Sequence, residues 1–161
     1  MTVHSFSDAE GLRIAIEIEK RGEAFYRKAA RISKNPETVK VFEQLAADEE
    51  IHRVEFEKLK KRTKVSQEEY DPETSAYLNA IAAEVVFSEG LMALRRTGFE
   101  TPEGALMEAI RSEKDSVMFY TELRDRASDK EAQQMFDEII RQEKRHLRTL
   151  QLRLANLISE G

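Results

Sequence analysis

The sequence contains no cysteine. That excludes disulfides, thiolate-bound zinc, iron–sulfur clusters and a thiol nucleophile. It also has no tryptophan, and only three prolines and six glycines among 161 residues. So few breakers leave long stretches free for helices and little material for tight β-turns. No apolar run approaches the roughly 20 residues of a membrane span. Residues 1–7 lack the apolar centre of a signal peptide, so the expected location is the cytoplasm, with no membrane partner. An excess of positive charge is missing too. The formal net charge is −5, which gives no general electrostatic reason to bind nucleic acid. The one basic run, Lys58, Lys60, Lys61, Arg62 and Lys64, reads as the solvated end of a helix, where cations complement the C-terminal dipole.

The remaining composition is 35% charged and 40% hydrophobic, a balance that favours amphipathic helices. The length suits one domain, residues 1–161, with a single sizeable core. Helix starts are marked five times. Ser7 with Glu10 and Ser128 with Glu131 are capping boxes. Asn35-Pro36, Asp71-Pro72 and Thr101-Pro102 each set an N-cap residue before Pro at the first helical position. These signals predict helices over 8–33, 36–62, 72–95, 102–127 and 129–158. Short turns make antiparallel neighbours of the first two and of the last two. The expected fold is all-α: hairpin one at 7–63, hairpin two at 102–158, and a long crossover at 64–101. The crossover carries an additional helix with an apolar face at Tyr77, Leu78, Ile81, Ala82, Val85 and Leu91.

The two hairpins repeat one another. Residues 7–60 align without a gap on 101–154, an offset of 94 that pairs Ala15 with Ala109, Ile16 with Ile110, Glu19 with Glu113 and Phe25-Tyr26 with Phe119-Tyr120. It also pairs Phe42 with Phe136, Glu49 with Glu143 and His52 with His146. Such a repeat predicts a pseudo-two-fold axis near which equivalent side chains meet.

Four carboxylates stand where core residues belong. Glu19 shares its helix face with Leu12, Ala15, Ile16 and Tyr26, and Glu49 with Phe42, Leu45, Ala46 and Phe56. Glu113 lies with Leu106, Ala109, Ile110 and Tyr120, and Glu143 with Phe136, Ile139, Ile140 and Leu150. His52 and His146 each follow a Glu by three residues, about 60° round and about 4.5 Å along the helix. Each isolated buried charge costs several kcal/mol, and no inward Lys or Arg recurs beside all four. Two divalent cations would balance them, with the imidazoles completing the shells. A carboxylate-rich set with one terminal His per ion suits iron or manganese. A Glu from each of two helices and Glu-x-x-His from each of the others is the donor set of ferritin-like di-iron and di-manganese bundles.

At these residues the chain resembles the rubrerythrin-like, erythrin-type branch of the ferritin-like superfamily. Ala15 to Tyr26 (AIEIEKRGEAFY) and Leu45 to His52 (LAADEEIH) look like that family's first hairpin, and AIRSEKDSVMFY with QEKRH like its second. The resemblance implies two iron ions that react with peroxide or dioxygen. Rubrerythrins proper add a rubredoxin-type domain with four Cys, which this sequence cannot build, so the implied electron donor is external. The family's frequent extra Glu falls here on Ser116, whose repeat mate is Gly22. The six-ligand set is therefore closer to erythrin- and ferritin-type sites, with Fe(II) oxidation and storage as the alternative activity. A metal-stabilised interaction module without turnover is a third reading.

Tyr26 and Tyr120 lie two turns beyond Glu19 and Glu113 and are the candidate catalytic tyrosines: they could hydrogen-bond the ligand carboxylates or be oxidised when the metals react, or be core aromatics whose hydroxyls find partners near the bundle end. Gly22, three residues after Glu19, could leave room for a peroxide or a bridging carboxylate, or merely allow close helix packing. Glu23 and Glu50 read as solvated Glu on a charged face, with an inward relay of iron as the alternative. Glu84 and Glu89 are candidates for an extra ligand, while His4 needs no role. The apolar face of the crossover helix could fold back on its own bundle or dock on a second chain, and the long connection allows hairpins to exchange between chains; the expectation is a homodimer, with exchange allowed but not required.

Overall fold

The first four helix starts form as the capping signals predict, in a computed structural model that describes residues 5–62, 64–85 and 101–160. Helices α1 (Asp8–Ile32), α2 (Pro36–Arg62), α3 (Pro72–Val85), α4 (Pro102–Arg126) and α5 (Lys130–Glu160) follow in order. The described residues contain no strand. Ser7 Oγ accepts from the Glu10 amide at 3.1 Å, Asn35 Oδ1 from Thr38 at 3.0 Å, Asp71 Oδ1 from Thr74 at 2.8 Å and Thr101 Oγ1 from Gly104 at 3.0 Å. Each bond satisfies a donor that the first helical turn leaves open.

The fifth start differs from expectation. Asp129, not Ser128, caps α5, its Oδ2 accepting from the Ala132 amide at 3.0 Å. Ser128 is engaged elsewhere: its amide and hydroxyl both donate to Asp8 Oδ2, at 2.9 and 2.8 Å. The other oxygen of Asp8 accepts from the Tyr70 hydroxyl at 2.5 Å. Buried Asp8 thus joins the start of α1, the α4–α5 turn and the beginning of the crossover.

Helices α1 and α2 pack as one antiparallel hairpin and α4 and α5 as the other, with α1 also against α4 and α2 against α5. Their apolar residues fall into two clusters. One joins Leu12, Ile14, Phe56, Phe119, Tyr120, Phe136 and Ile140. The other joins Tyr26, Phe42, Leu45, Leu106, Ala109 and Leu150. Each helix leaves one cluster and enters the other across its inward-facing Glu, so a polar layer separates two apolar ones. The repeat exchanges the clusters, matching Phe42 to Phe136 and Tyr26 to Tyr120. The pseudo-axis therefore crosses the bundle at its middle and swaps its ends. Helix α2 finishes at the first cluster, through Leu59, while α4 starts at the second, through Ala105. The crossover must accordingly run the length of the bundle.

Helix α3 spends its apolar face on its own bundle. Leu78, Ile81 and Ala82 are buried in the first cluster, and the helix packs on α4. Tyr77, expected on that face, is instead 44% exposed. The homodimer inferred from an uncovered crossover face thus draws no support from these residues. The expected continuation of this helix to residue 95, with Glu89 and Leu91, lies outside the described residues, as do the Glu84 and Val85 side chains and His4. No helix among the described residues is long and apolar enough to cross a membrane.

Asp8 gives a direct test of what ties the crossover down. Asp8→Ala removes three bonds, one from the half-buried Tyr70 and two from Ser128, and should cost about 3 kcal/mol, whereas Tyr70→Phe, which removes one of the three, should cost about 1 kcal/mol. Urea denaturation measures both, and equal losses would contradict the assignment of Asp8 as the shared acceptor.

Candidate metal centre

The polar layer is built by one position on α1, one on α4, and an i, i+3 pair on each of α2 and α5. The apolar stripes that sequence periodicity lays down on all four helices face inward, and the six interrupting residues go with them. Glu19, Glu49, His52, Glu113, Glu143 and His146 are all within one chain, and none is more than 5% exposed.

They assemble as two overlapping sets. Glu19, Glu49, His52 and Glu143 place one donor atom each within 4.8 Å of one another, and so do Glu49, Glu113, Glu143 and His146. The repeat converts one set into the other. Glu49 and Glu143 belong to both and would bridge two ions if a pair were bound; Glu19 and Glu113 belong to one each and would be terminal. Both imidazoles point Nδ1 at the carboxylates. His52 Nδ1 lies 2.9 Å from Glu143 and 3.5 Å from Glu19, and His146 Nδ1 lies 3.4 Å from Glu113 and 3.5 Å from Glu49 and Glu143. The rings stack at 5.6 Å between centroids, 18° from parallel.

Glu19 Oε2, Glu113 Oε2, Glu143 Oε1 and both Nδ1 atoms are buried without an aligned hydrogen bond. Five buried polar atoms left open in one small volume are costly unless something binds them. Carboxylate oxygens and imidazole nitrogens are the donors that iron or manganese takes, so the residues fit a pair of such ions.

The tyrosines cross between hairpins. Tyr26 on α1 donates to Glu113 Oε1 at 2.5 Å, and Tyr120 on α4 donates to Glu19 Oε1 at 2.6 Å. Each therefore holds the terminal carboxylate of the other half, not the one two turns away on its own helix. Burial, then the neighbouring carboxylates, raises both phenols well above their ordinary value, so both keep their protons and continue to donate. A Cβ on Gly22 would meet the Glu49 side chain at 3.4–3.5 Å, so the glycine leaves room for a carboxylate shared by both sets. Glu23 and Glu50 are both ion-paired to Arg27, at 2.8 and 3.1 Å, which sets them in a charged surface network.

Two contributors escaped the sequence reading. The outer nitrogen of His146, Nε2, faces Asp48 Oδ2 at 3.0 Å, and that of His52 faces Gln142 Oε1 at 2.6 Å. Asp48 and Gln142 are themselves repeat mates, each directly preceding a ligand Glu. That register was the available signal.

A model of the rubrerythrin family matches residues 10–154. The chain belongs to the rubrerythrin family. Among solved structures, this rubrerythrin-family chain is similar to a ferritin-like diiron-carboxylate protein of Thermotoga maritima, with 30% identity and a TM-score of 0.70 over 94% of this chain and 97% of that one. It also shares its fold with a hypothetical protein of Pyrococcus furiosus, with 17% identity and a TM-score of 0.65 over 97% of this chain and 93% of that one. No curated protein matches the chain.

Without metal, protons take the cations' place. Burial pushes the His52 imidazolium down, but contacts with Glu143 and Glu49 outweigh it and lift the group from 6.5 to about 11. His146 is raised in the same way against burial, by Glu113, Glu143 and Glu49. Burial, then repulsion from Glu143, lifts Glu113 from 4.5 to about 8. The stability contributed by His52 is complete below 6.5 and lost as pH rises towards 11, and that of protonated Glu113 is lost between 4.5 and 8. Metal must displace these protons, so its binding strengthens as pH rises. The melting-temperature gap between metal-loaded and chelator-treated protein should therefore widen from about pH 5 to about pH 8. A gap that narrows over that range, measured by calorimetry, would contradict a shared site for protons and metal.

Proposed function

We propose that this chain is a di-iron oxidoreductase that reduces peroxide or dioxygen with electrons from an external donor. The observation that carries the reading is the pair of overlapping four-residue sets, with Glu49 and Glu143 in both. A ferrous pair, when bound, supplies the two electrons needed to cleave a peroxide O–O bond.

The protein's part is to hold and orient. Glu19 and His52 complete one end of the site, Glu113 and His146 the other. Tyr26 and Tyr120 fix the terminal carboxylates by hydrogen bonds and keep a proton at each. The apolar layers on both sides limit water, which strengthens every charge interaction between them. The 161 residues include no cysteine to hold a rubredoxin-type iron, so on this reading the supply of reducing equivalents falls to an external donor. Iron oxidation with Fe(II) as substrate uses the same six residues.

Anaerobic ferrous protein mixed with peroxide should consume it at half the iron concentration, and should continue to turn over when a reductant is supplied. Glu49→Ala with Glu143→Ala should abolish both metal loading and consumption. Normal loading of that double variant would refute the bridging roles, and mineral growth without peroxide turnover would favour iron handling instead. Tyr26→Phe and Tyr120→Phe should each lower the rate by about tenfold while retaining metal, the size expected for groups that orient ligands. An unchanged rate would remove the tyrosines from the mechanism.

A further inference from the structure

The two halves of the centre offer identical ligands, yet what stands behind the ligands is not identical. Behind His146, Nε2 faces the Asp48 carboxylate at 3.0 Å, and the other oxygen of Asp48 accepts from Gln44 Nε2 at 2.9 Å. Behind His52, Nε2 faces the Gln142 amide oxygen at 2.6 Å, and Gln142 Nε2 donates to Glu138 Oε1 at 3.0 Å. The repeat offset pairs Gln44 with Glu138 and Asp48 with Gln142. Amide and carboxylate have therefore changed places along the same two-residue path. On one side the carboxylate touches the imidazole. On the other it is one residue farther out, and there Arg141 holds it at 2.8 Å. Among the described residues Asp48 has no Lys or Arg partner.

The hydrogen-bond roles are fixed by this chemistry. A carboxylate only accepts, so His146 Nε2 is the donor to Asp48. The Gln142 amide gives its NH₂ to Glu138, which leaves its oxygen towards His52, so His52 Nε2 also donates. Both rings are thereby held with Nδ1 free to bind metal. The difference between them is electrostatic. An anionic acceptor makes a charge-assisted bond about twice as strong as a neutral one, and it favours the positive charge an imidazole gains on binding a cation.

We propose that Asp48 and Gln142 are positioning residues that make the two metal positions unequal, so that the position served by His146, Glu113 and Asp48 binds its ion first and more tightly. The position served by His52, Glu19 and Gln142 is the weaker, exchangeable one. This rests on the metal-pair reading above and extends it from what binds to the order of binding.

Titration of the metal-free protein with Co(II), followed by calorimetry and by the visible absorption of the bound ion, tests the order without any turnover. Wild type should show two binding steps. Asp48→Asn, which keeps the side chain's shape and removes its charge, should weaken the tighter step by about 10–100-fold. Glu138→Gln combined with Gln142→Glu moves the carboxylate of the second half inward to copy the first, and should strengthen the weaker step instead. The two variants change opposite steps in opposite directions, so general damage to the fold cannot produce both results. The proposal is overturned if both variants leave both constants within about twofold of wild type, or if Asp48→Asn weakens only the second step. Failure of wild type to bind Co(II) at all would overturn the metal-pair reading, and this one with it.

Discussion

Four carboxylates gathered in one apolar bundle are the constraint from which the rest of the centre follows. Each carries a desolvation cost of several kcal/mol if left charged and alone, and together they repel. The chain meets that cost with two imidazoles aimed into the cluster, two phenols donating from opposite hairpins, and oxygen and nitrogen atoms left open for cations. In the metal-free state protons fill the same role, which is why the histidines and Glu113 are held far above their ordinary values. The apolar clusters on either side make the problem and contain it: the low dielectric that penalises an unpaired charge also strengthens a paired one.

Much of this was legible in the sequence because the signals are local or periodic. An N-cap residue before Pro marks a helix start without reference to the rest of the chain, as at Asn35, Asp71 and Thr101. A Glu on an apolar stripe is visible at 3.6-residue spacing, and the repeat showed which four belong together. The misreadings have tertiary causes. Ser128 and Asp129 are both competent caps, and the choice between them is made by Asp8, 120 residues away in sequence. Tyr77 fits the stripe of α3 but sits at its edge, and helix periodicity does not say how wide a face the neighbour covers. The reach of each tyrosine to the far hairpin's Glu, and the partners behind each His, depend on how helices face one another, which no single-helix pattern encodes.

The end-swapping symmetry also explains where the two halves are free to differ. The six ligands coincide under the repeat because each set needs the same donors. The ends of the bundle are under no such requirement. Phe6 and α3 cover only the first cluster, where Tyr70 and Ser75 hold the segment before α1 through bonds of 2.7 and 3.2 Å to the Phe6 backbone. Gly22 lies beside Glu49 where its repeat mate is the buried Ser116.

The positions behind the histidines follow the same logic at closer range. A change in a ligand destroys a set, whereas an exchange of amide and carboxylate behind it preserves the ring's orientation and its donor bond. By such an exchange two equal ligand sets can acquire unequal affinities without either losing its geometry. Asp48 with Gln44, and Gln142 with Glu138, have the same composition of one carboxylate and one amide per half. Two things distinguish them: on the Asp48 side the charge touches the imidazole, and on the Glu138 side it stands one residue farther out and is paired with Arg141. Both differences act in the same direction, since each leaves the His146 ring facing more negative charge than the His52 ring.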